Sequence, residues 1–587
     1  MTRGEDILAA LDDEQREVAE ALRGPVRVLA GAGTGKTRAI THRIAYGCTT
    51  GAYLPDKVLA LTFTSRAAGE MRTRLRELGA SDVAAQTFHA AALRQVGHFW
   101  PEVTGGRPPH LLEGKARILT DAAREVGVRP DTPTLRDIAA EVEWRKVMNL
   151  SLESYPTVAA QTARVMPGSL TLDQMVSLAT VYERLKDERN QIDFEDVLLL
   201  CAGMIDAEES VAAQVRDRYR FFVVDEYQDV SPLQQYLLDL WLGPRRDLCV
   251  VGDASQTIFS FTGATSNFLL QFESNYPQAH TIRLDRNYRS TEPIVQTANR
   301  LMHDQPGSLE LVSVVSEPKS FPVTVREFAS DVLEAQAVAA SIAEDIASGV
   351  KPEDIAILFR VNAQSAPLEQ ALGGRGIAHQ VHGGTRFYDR TEVKRAILAL
   401  RGEAVVARDV PLFQRVSDVL RELGWTLEPP ATTGAEREAW ESLNALVQLA
   451  DQAPEGQTFR AFTDALLARQ SAKHEPTMHA VTLTNIHAAK GLEWKVVYLV
   501  GVAEGTLPIS YATTDAAIDE ERRVLYVGIT RAAQKLSVSF ARQGGPHATP
   551  HGASRFLAEL GTRISATGAP PRSSTRRGAN QAAPAGG

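Results

Sequence analysis

The run Ala30-Gly31-Ala32-Gly33-Thr34-Gly35-Lys36-Thr37 sets small residues, then a lysine and a hydroxyl, between an apolar stretch at Pro25–Ala30 and a segment with helical apolar spacing. Small residues let backbone N–H groups approach phosphate oxygens, and the start of a helix adds positive potential. Lys36 is placed to neutralise the β and γ phosphates of ATP, and Thr37 to offer its hydroxyl to Mg²⁺. The strict form of such a loop opens on Gly, where this chain has Ala30. A glycine-rich turn that binds nothing is the alternative, and the strand-loop-helix context speaks against it. A second site of chemistry follows at Phe221-Phe222-Val223-Val224-Asp225-Glu226, an apolar strand run ending in two carboxylates. Asp225 is placed to hold Mg²⁺, usually through water, and Glu226 to accept a proton from the water that attacks the γ-phosphate. The same pair could instead cap a following helix.

The elements that must position these groups repeat one unit: a β-rich apolar run, a polar turn, then a helical stretch. Runs at Pro25–Ala30, Lys57–Phe63 and Val83–Phe88 each deliver polar residues at a strand's C-terminal edge, where ligands bind in open α/β sheets. From 91 to 197 the pattern is helical without a convincing strand, and strands return at Arg220–Val224 and Asp247–Val251. A second α/β series begins near Asn287, with strands at Val323–Phe328 and Asp354–Phe359, yields to helices at 402–480, and resumes at Val481–Ile486 and Lys495–Val500. The fold class is therefore α/β: two parallel-sheet domains in tandem, each interrupted by a mainly helical insertion. The expected division is 1–90 with 198–285, insertion 91–197; 286–401 with 481–565, insertion 402–480; and a disordered tail at 566–587, poor in apolar side chains.

At 587 residues the chain is too long for a single core, and its net charge of -9 excludes nucleic-acid attraction by bulk charge. Any DNA contact must come from a local surface. Cys48, Cys201 and Cys249 lack metal-site spacing and read as buried thiols. No apolar run approaches the roughly 18 residues that span a bilayer, so the expected location is the cytoplasm, at the nucleoid, with no membrane partner.

Asp225-Glu226-Tyr227-Gln228-Asp229, following such a loop, resembles the UvrD/Rep/PcrA family of superfamily 1 DNA helicases. In the same order, Leu11–Gln15, Thr62–Met71, Thr87–Ala90, Val251–Gln256, Leu284–Ser290, Ile486–Trp494 and Glu520–Ala532 resemble further motifs of that family, covering about residues 8–540. The resemblance implies two RecA-like domains and an ATP-dependent helicase that moves 3′ to 5′ on single-stranded DNA and 3′-tailed duplex, in repair or replication, with repair proteins as further partners. It implies that Gln15 reads adenine, Tyr288 stacks on it, Glu493 holds the ribose and Arg38 assists nearby. It further implies that Gln256 contacts the γ-phosphate from the first domain while Arg289 and Arg531 reach it from the second. Seen alone, each arginine reads as a solvated surface residue. Longer actinobacterial members carry a four-cysteine element beyond the motor; this chain reads as a natural short form of that type or as a truncated one.

For DNA, Phe63, Thr64, His89, Phe261 and His487 fall at expected strand ends, where rings and polar tips can form a track that accepts any base. Phe63 could also be a core aromatic, and Phe88 is assigned to the core. Two departures lie here: Thr262 where the family commonly has Arg, and Asn485 where Thr is usual. The second insertion is about 80 residues, about half the family's length. Two other functions fit parts of this pattern: a DNA-dependent ATPase that translocates and displaces proteins without efficient unwinding, and a regulatory P-loop ATPase with a protein partner.

Overall fold

The computed structural model describes residues 3–162, 164–316, 321–382, 387–404, 410–428, 430, 435–451, 453–454, 456–471, 480–543 and 552–566. Six strands form a first parallel sheet: β1 (Val26–Ala30), β2 (Val58–Thr62), β3 (Ala84–Thr87), β4 (Phe221–Val224), β5 (Leu248–Gly252) and β6 (His280–Leu284), in the order β3-β2-β4-β5-β1-β6. Successive residues point to opposite faces. Leu59, Leu61, Phe222, Val224, Leu248 and Val250 enter one core, while Val58, Ala60, Phe221, Val223, Cys249 and Val251 enter the other. Helices cover both faces, which is why these strands read as continuous apolar runs rather than alternating ones. Each of the Val, Leu and Phe side chains contributes about 1.5–3 kcal/mol on burial.

Seven strands form a second parallel sheet: β7 (Thr324–Ser330), β8 (Ile355–Phe359), β9 (His379–His382), β10 (Val481–Asn485), β11 (Trp494–Leu499), β12 (Ala532–Gln543) and β13 (Ile564–Ala566), ordered β9-β10-β8-β11-β12-β7-β13. β6, β9, β12 and β13 lie outside the sequence reading. Three of these are sheet edges, where one side of the strand is not enclosed and polar residues weaken the apolar signal.

The first insertion has its own core, built from Leu119, Ile138, Val142, Met175, Leu178 and Tyr182 on helices Ala116–Glu125, Thr132–Val147 and Leu172–Glu188. Helices Phe88–Thr104 and Asp196–Ala207 instead pack on the first sheet, so the separate core is narrower than 91–197. The expectation of no strand in this stretch is corrected by a short parallel pair, His110–Leu111 with Gln191–Ile192, where the chain enters and leaves the insertion. In the second insertion, helix Thr391–Glu403, expected in the sheet domain, shares a core with helices Leu412–Arg421, Ala435–Asp451 and Phe459–Ser471 through Val393, Ile397, Leu400, Val416, Leu446 and Leu466. The expected tail at 566–587 starts one residue too early, since Ala566 pairs with Glu327 in β13; residues 567–587 lie outside the described residues. Cys201 and Cys249 are buried and Cys48 is half-buried, all with free thiols. Among the described residues no helix is long and apolar enough to cross a membrane.

Candidate active site and nucleic-acid track

The phosphate loop leaves the C-terminal end of β1 and enters helix Lys36–Thr49, whose N-terminus has no side-chain cap. Its first N–H groups are thus left for a ligand. Gly33 and Gly35 have φ of 73° and 79°, the left-handed region that glycine enters without penalty. Close neighbours impose the same choice: a Cβ on Gly33 would lie 2.7 Å from Asn287 Nδ2, and one on Gly35 2.7 Å from Gln15 Nε2. A Cβ on Gly31 would meet Leu311 at 2.3 Å. The loop is braced by Thr34 Oγ1 donating to the Gly31 carbonyl (2.9 Å), Gln15 Nε2 to the Thr34 carbonyl (3.0 Å) and Asn287 Nδ2 to the Ala32 carbonyl (2.7 Å).

β4 places its carboxylates beside this loop. Thr37 Oγ1 lies 3.5 Å from Asp225 Oδ2, and Lys36 Nζ lies 3.9 Å from Glu226 Oε1. Glu226 holds φ of 53°, rare for a residue with a Cβ, and Gln228 Nε2 donates to its Oε2. Burial, then the neighbouring Glu226 charge, pushes the Asp225 carboxyl up to about 7. Burial acts the same way on Glu226, but the charges of Lys36 and Lys490 outweigh it and hold that carboxyl low, at about 2. A hard divalent cation fits this donor set: one hydroxyl and one carboxylate in reach of each other, in a place where added positive charge relieves carboxylate repulsion. Gln256, on the turn Ala254–Gln256 that follows β5, is buried and donates through Nε2 to Asp253 Oδ2 (2.8 Å).

The second half of the chain supplies the opposite wall. Arg289 Nε pairs with Glu493 Oε2 at 2.5 Å, and Nη1 donates to the Thr530 carbonyl at 3.2 Å. Arg531 is buried and donates to the carbonyls of Val527 (3.0 Å) and Leu492 (3.1 Å). Burial, then the nearby Arg289 charge, pulls its guanidinium down to about 9. Two guanidinium groups crowded in this way are relieved by an anion between the sheets. Tyr288 donates its backbone N–H to the Gly33 carbonyl (2.9 Å) and its hydroxyl to Asp12 Oδ2. Arg38 donates to the Ala10 carbonyl, so its guanidinium braces the N-terminal segment.

Sequence reasoning missed Lys490. Its Nζ donates to Asp229 Oδ2 (2.5 Å) and to the Gln256 carbonyl (2.6 Å), joining the second half to two motifs of the first. Burial pushes the Asp229 carboxyl up to about 6 despite that partner. Lys490 Nζ also lies 5.2 Å from the Phe259 ring centre, and Phe259 is the hub of an aromatic cluster. Phe63 stacks on it (5.9 Å, 16°), Phe261 meets it edge-on (6.1 Å), and His487 lies 6.1 Å from Phe259 and 6.0 Å from Phe261. Phe63 and Phe261 are 43% and 61% exposed, so the cluster presents rings to solvent; Phe88 is core, stacked on Trp241. Burial, then Arg360 and Lys490, holds the His487 imidazole far below its usual value, at about 3, so it is neutral.

The other track candidates have different neighbours. His89 stacks on Phe194 (4.0 Å, 12°), and burial followed by Lys115 lowers it to about 4. Thr64 caps helix Ser65–Glu77 by accepting from Ala67 N, and Asn485 bonds Asn362 and accepts from Ala488 N. Thr262 donates to the Phe259 carbonyl (2.8 Å), bracing the turn that carries Phe261. A scattered Phe259 or Phe194 carries no signal in the sequence, because its partner lies in a different motif.

Two family models match the chain: the UvrD/REP helicase N-terminal domain over residues 11–277, and the UvrD-like helicase C-terminal domain over 282–427 and 403–543. The chain is 46% identical over 597 residues to the ATP-dependent DNA helicase UvrD2 of Mycobacterium tuberculosis, covering 98% of this chain and 85% of that one. It is 29% identical to the ATP-dependent DNA helicase PcrA of Bacillus subtilis (94% and 86% covered) and 28% identical to DNA helicase II of Escherichia coli (94% and 88% covered).

Proposed function

The chain belongs to the UvrD/REP helicase family and is an ATP-dependent DNA helicase, hence an ATP hydrolase; from that premise we propose that it moves 3′ to 5′ on single-stranded DNA and opens 3′-tailed duplex. The observation that carries the motor reading is Lys490, which bonds Asp229 and the Gln256 backbone at the nucleotide site and lies against Phe259 in the aromatic cluster, while the polarity rests on the family. A change at the γ-phosphate that separates the sheets must move this lysine, and with it the rings on which bases stack. In this scheme the two sheets are the motor domains and DNA runs across the cluster of Phe63, Phe259, Phe261 and His487. The regulatory ATPase with a protein partner falls with the family membership.

At the nucleotide site, Lys36 and the loop N–H groups hold the phosphates, and Gln15 and Tyr288 flank the base. Thr37 and Asp225 would hold Mg²⁺, which when bound offsets phosphate charge. Glu226 takes the proton from the attacking water; Gln256, Arg289 and Arg531 surround the terminal phosphate. The setting we assign is repair or replication in the cytoplasm, at the nucleoid, alongside repair proteins.

One observation favours translocation over processive unwinding as the main activity: among the described residues the second insertion is a small module of four helices, and its helix Ala435–Asp451 leans on the first insertion through Glu436 N and Asp137 Oδ2 (3.2 Å). Strand displacement on 3′-tailed and 5′-tailed duplexes, beside ATPase assays with and without oligo-dT, tests the whole reading, with Lys36→Ala as the inactive control. DNA-stimulated hydrolysis and 3′-tail-dependent opening are expected; equal opening from a 5′ tail overturns the polarity, and stimulation without opening favours the protein-displacing form. For the track, Phe261→Ala should weaken oligo-dT binding by about 1–3 kcal/mol in a fluorescence titration. The ring is largely exposed, so the fold should survive its removal, and an unchanged affinity would take Phe261 off the path.

A further inference from the structure

We propose that Asp12 is the positioning residue of the base site, a single carboxylate that sets both the helix carrying Gln15 and the ring of Tyr288; this rests on the reading of Gln15 and Tyr288 as the groups that flank the base. Asp12 is extended (φ -73°, ψ 176°) and caps helix Asp13–Glu20, its Oδ1 accepting from Gln15 N at 2.7 Å. Its other oxygen, Oδ2, accepts from the Tyr288 hydroxyl. The two residues it touches lie far apart in the sequence and meet at the same loop. Gln15 is buried and bonded to the phosphate loop at the Thr34 carbonyl, while Tyr288 follows β6 and is rooted to the same loop by its backbone N–H on Gly33.

Backbone rooting fixes where the Tyr288 ring starts, not the direction in which it lies. Tyr288 is 47% exposed, so packing does not enclose its ring. A hydrogen bond at its far end supplies the missing constraint: with both ends held, the ring keeps one orientation and one face stays open for a planar base. The same helix is tied to the same segment a second time, where Glu14 accepts from Asp285 N (3.2 Å) and pairs with Arg286 (3.4 Å). Helix Asp13–Glu20 and residues 285–288 therefore form one braced frame, and Asp12 is the part of it that reaches the ring. Pre-orienting the ring reduces what ATP must order on binding, so the effect belongs in KM for ATP rather than in kcat.

Steady-state ATPase of the full chain at saturating oligo-dT tests this. Asp12→Ser keeps a cap acceptor but is too short to reach the Tyr288 hydroxyl, and Tyr288→Phe keeps the ring but loses the donor. Each should raise KM for ATP about 5- to 10-fold, and the double variant should be no worse than either single one, because both remove one interaction. Asp12→Asn, which caps well and offers Tyr288 an N–H, should restore KM to within about 3-fold of the parent. Multiplying effects in the double variant, or a parental KM in Asp12→Ser, overturns the proposal and leaves Asp12 a helix cap. Tyr288→Ala separates the two levels. An unchanged KM there sinks the base-site reading itself, whereas a raised KM there with parental Asp12→Ser sinks only the tether.

Discussion

Replacing Glu226 with glutamine should lower kcat for ATP hydrolysis by about 10²–10⁴, the range that a positioned general base contributes. The exchange is nearly isosteric. Glutamine can keep the contact with Gln228 Nε2 through its carbonyl oxygen and can occupy the same left-handed backbone, so neither β4 nor the turn after it has reason to move. What disappears is the proton acceptor 3.9 Å from Lys36 Nζ, at the mouth of the phosphate loop. ATP affinity should stay near the parental value, because in the proposed site Lys36 and the loop N–H groups, rather than a carboxylate, hold the phosphates. Oligo-dT binding should also persist, the aromatic cluster lying on the far side of Lys490. Single-turnover hydrolysis with a parallel nucleotide-binding titration measures both quantities. A kcat within tenfold of the parent would remove Glu226 from the role of base.

The parts of this molecule legible in its sequence are those whose chemistry is contiguous. Ala30–Thr37 carries its glycines, lysine and threonine in one run, and Phe221–Glu226 carries an apolar strand and its two carboxylates together, so both are readable without knowing what they touch. The same holds for two interior strands, since residues 58–61 and Ile355–Phe359 are apolar at every position and buried on both faces. Edge strand His280–Leu284 has the burial pattern of a half-covered strand and was not legible. Lys490, Phe259 and Asp12 were hidden for a different reason. Each acts through a residue far away in sequence: Lys490 on Asp229, Phe259 on Phe63 and His487, Asp12 on Tyr288. Arg38 shows the converse. Its place directly after the loop suggests a nucleotide contact, yet its guanidinium reaches the Ala10 carbonyl. Adjacency in sequence places the start of a long side chain and leaves its end free.

Arg531→Ala should be the other severe lesion, reducing kcat by about 10³–10⁵, or roughly 4–7 kcal/mol of transition-state stabilisation, as expected for an arginine supplied to a transferring phosphoryl group within one chain. Its setting explains both the size of the effect and the control it requires. The guanidinium is buried beside Arg289 and feels the Glu226 carboxylate, and in the proposed site it balances charge on the terminal phosphate. It also donates to the carbonyls of Val527 and Leu492; alanine would leave Val527 with the Thr530 hydroxyl (3.1 Å) and take the Arg531 donor from Leu492, at a cost of about 1–3 kcal/mol if that carbonyl stays dry. A fall in Tm is therefore expected alongside the fall in rate, and Arg531→Ala alone would confuse the two. Arg531→Lys separates them: it keeps the positive charge and one donor, so most of the stability should return, but it cannot span two carbonyls and a phosphate with a rigid planar fork. Recovery of Tm without recovery of kcat would assign Arg531 to the chemical step. Recovery of both would mean that charge alone suffices there, and a loss of Tm with nearly parental kcat would make the residue a brace for helix Asp515–Ile529 and the turn that follows it.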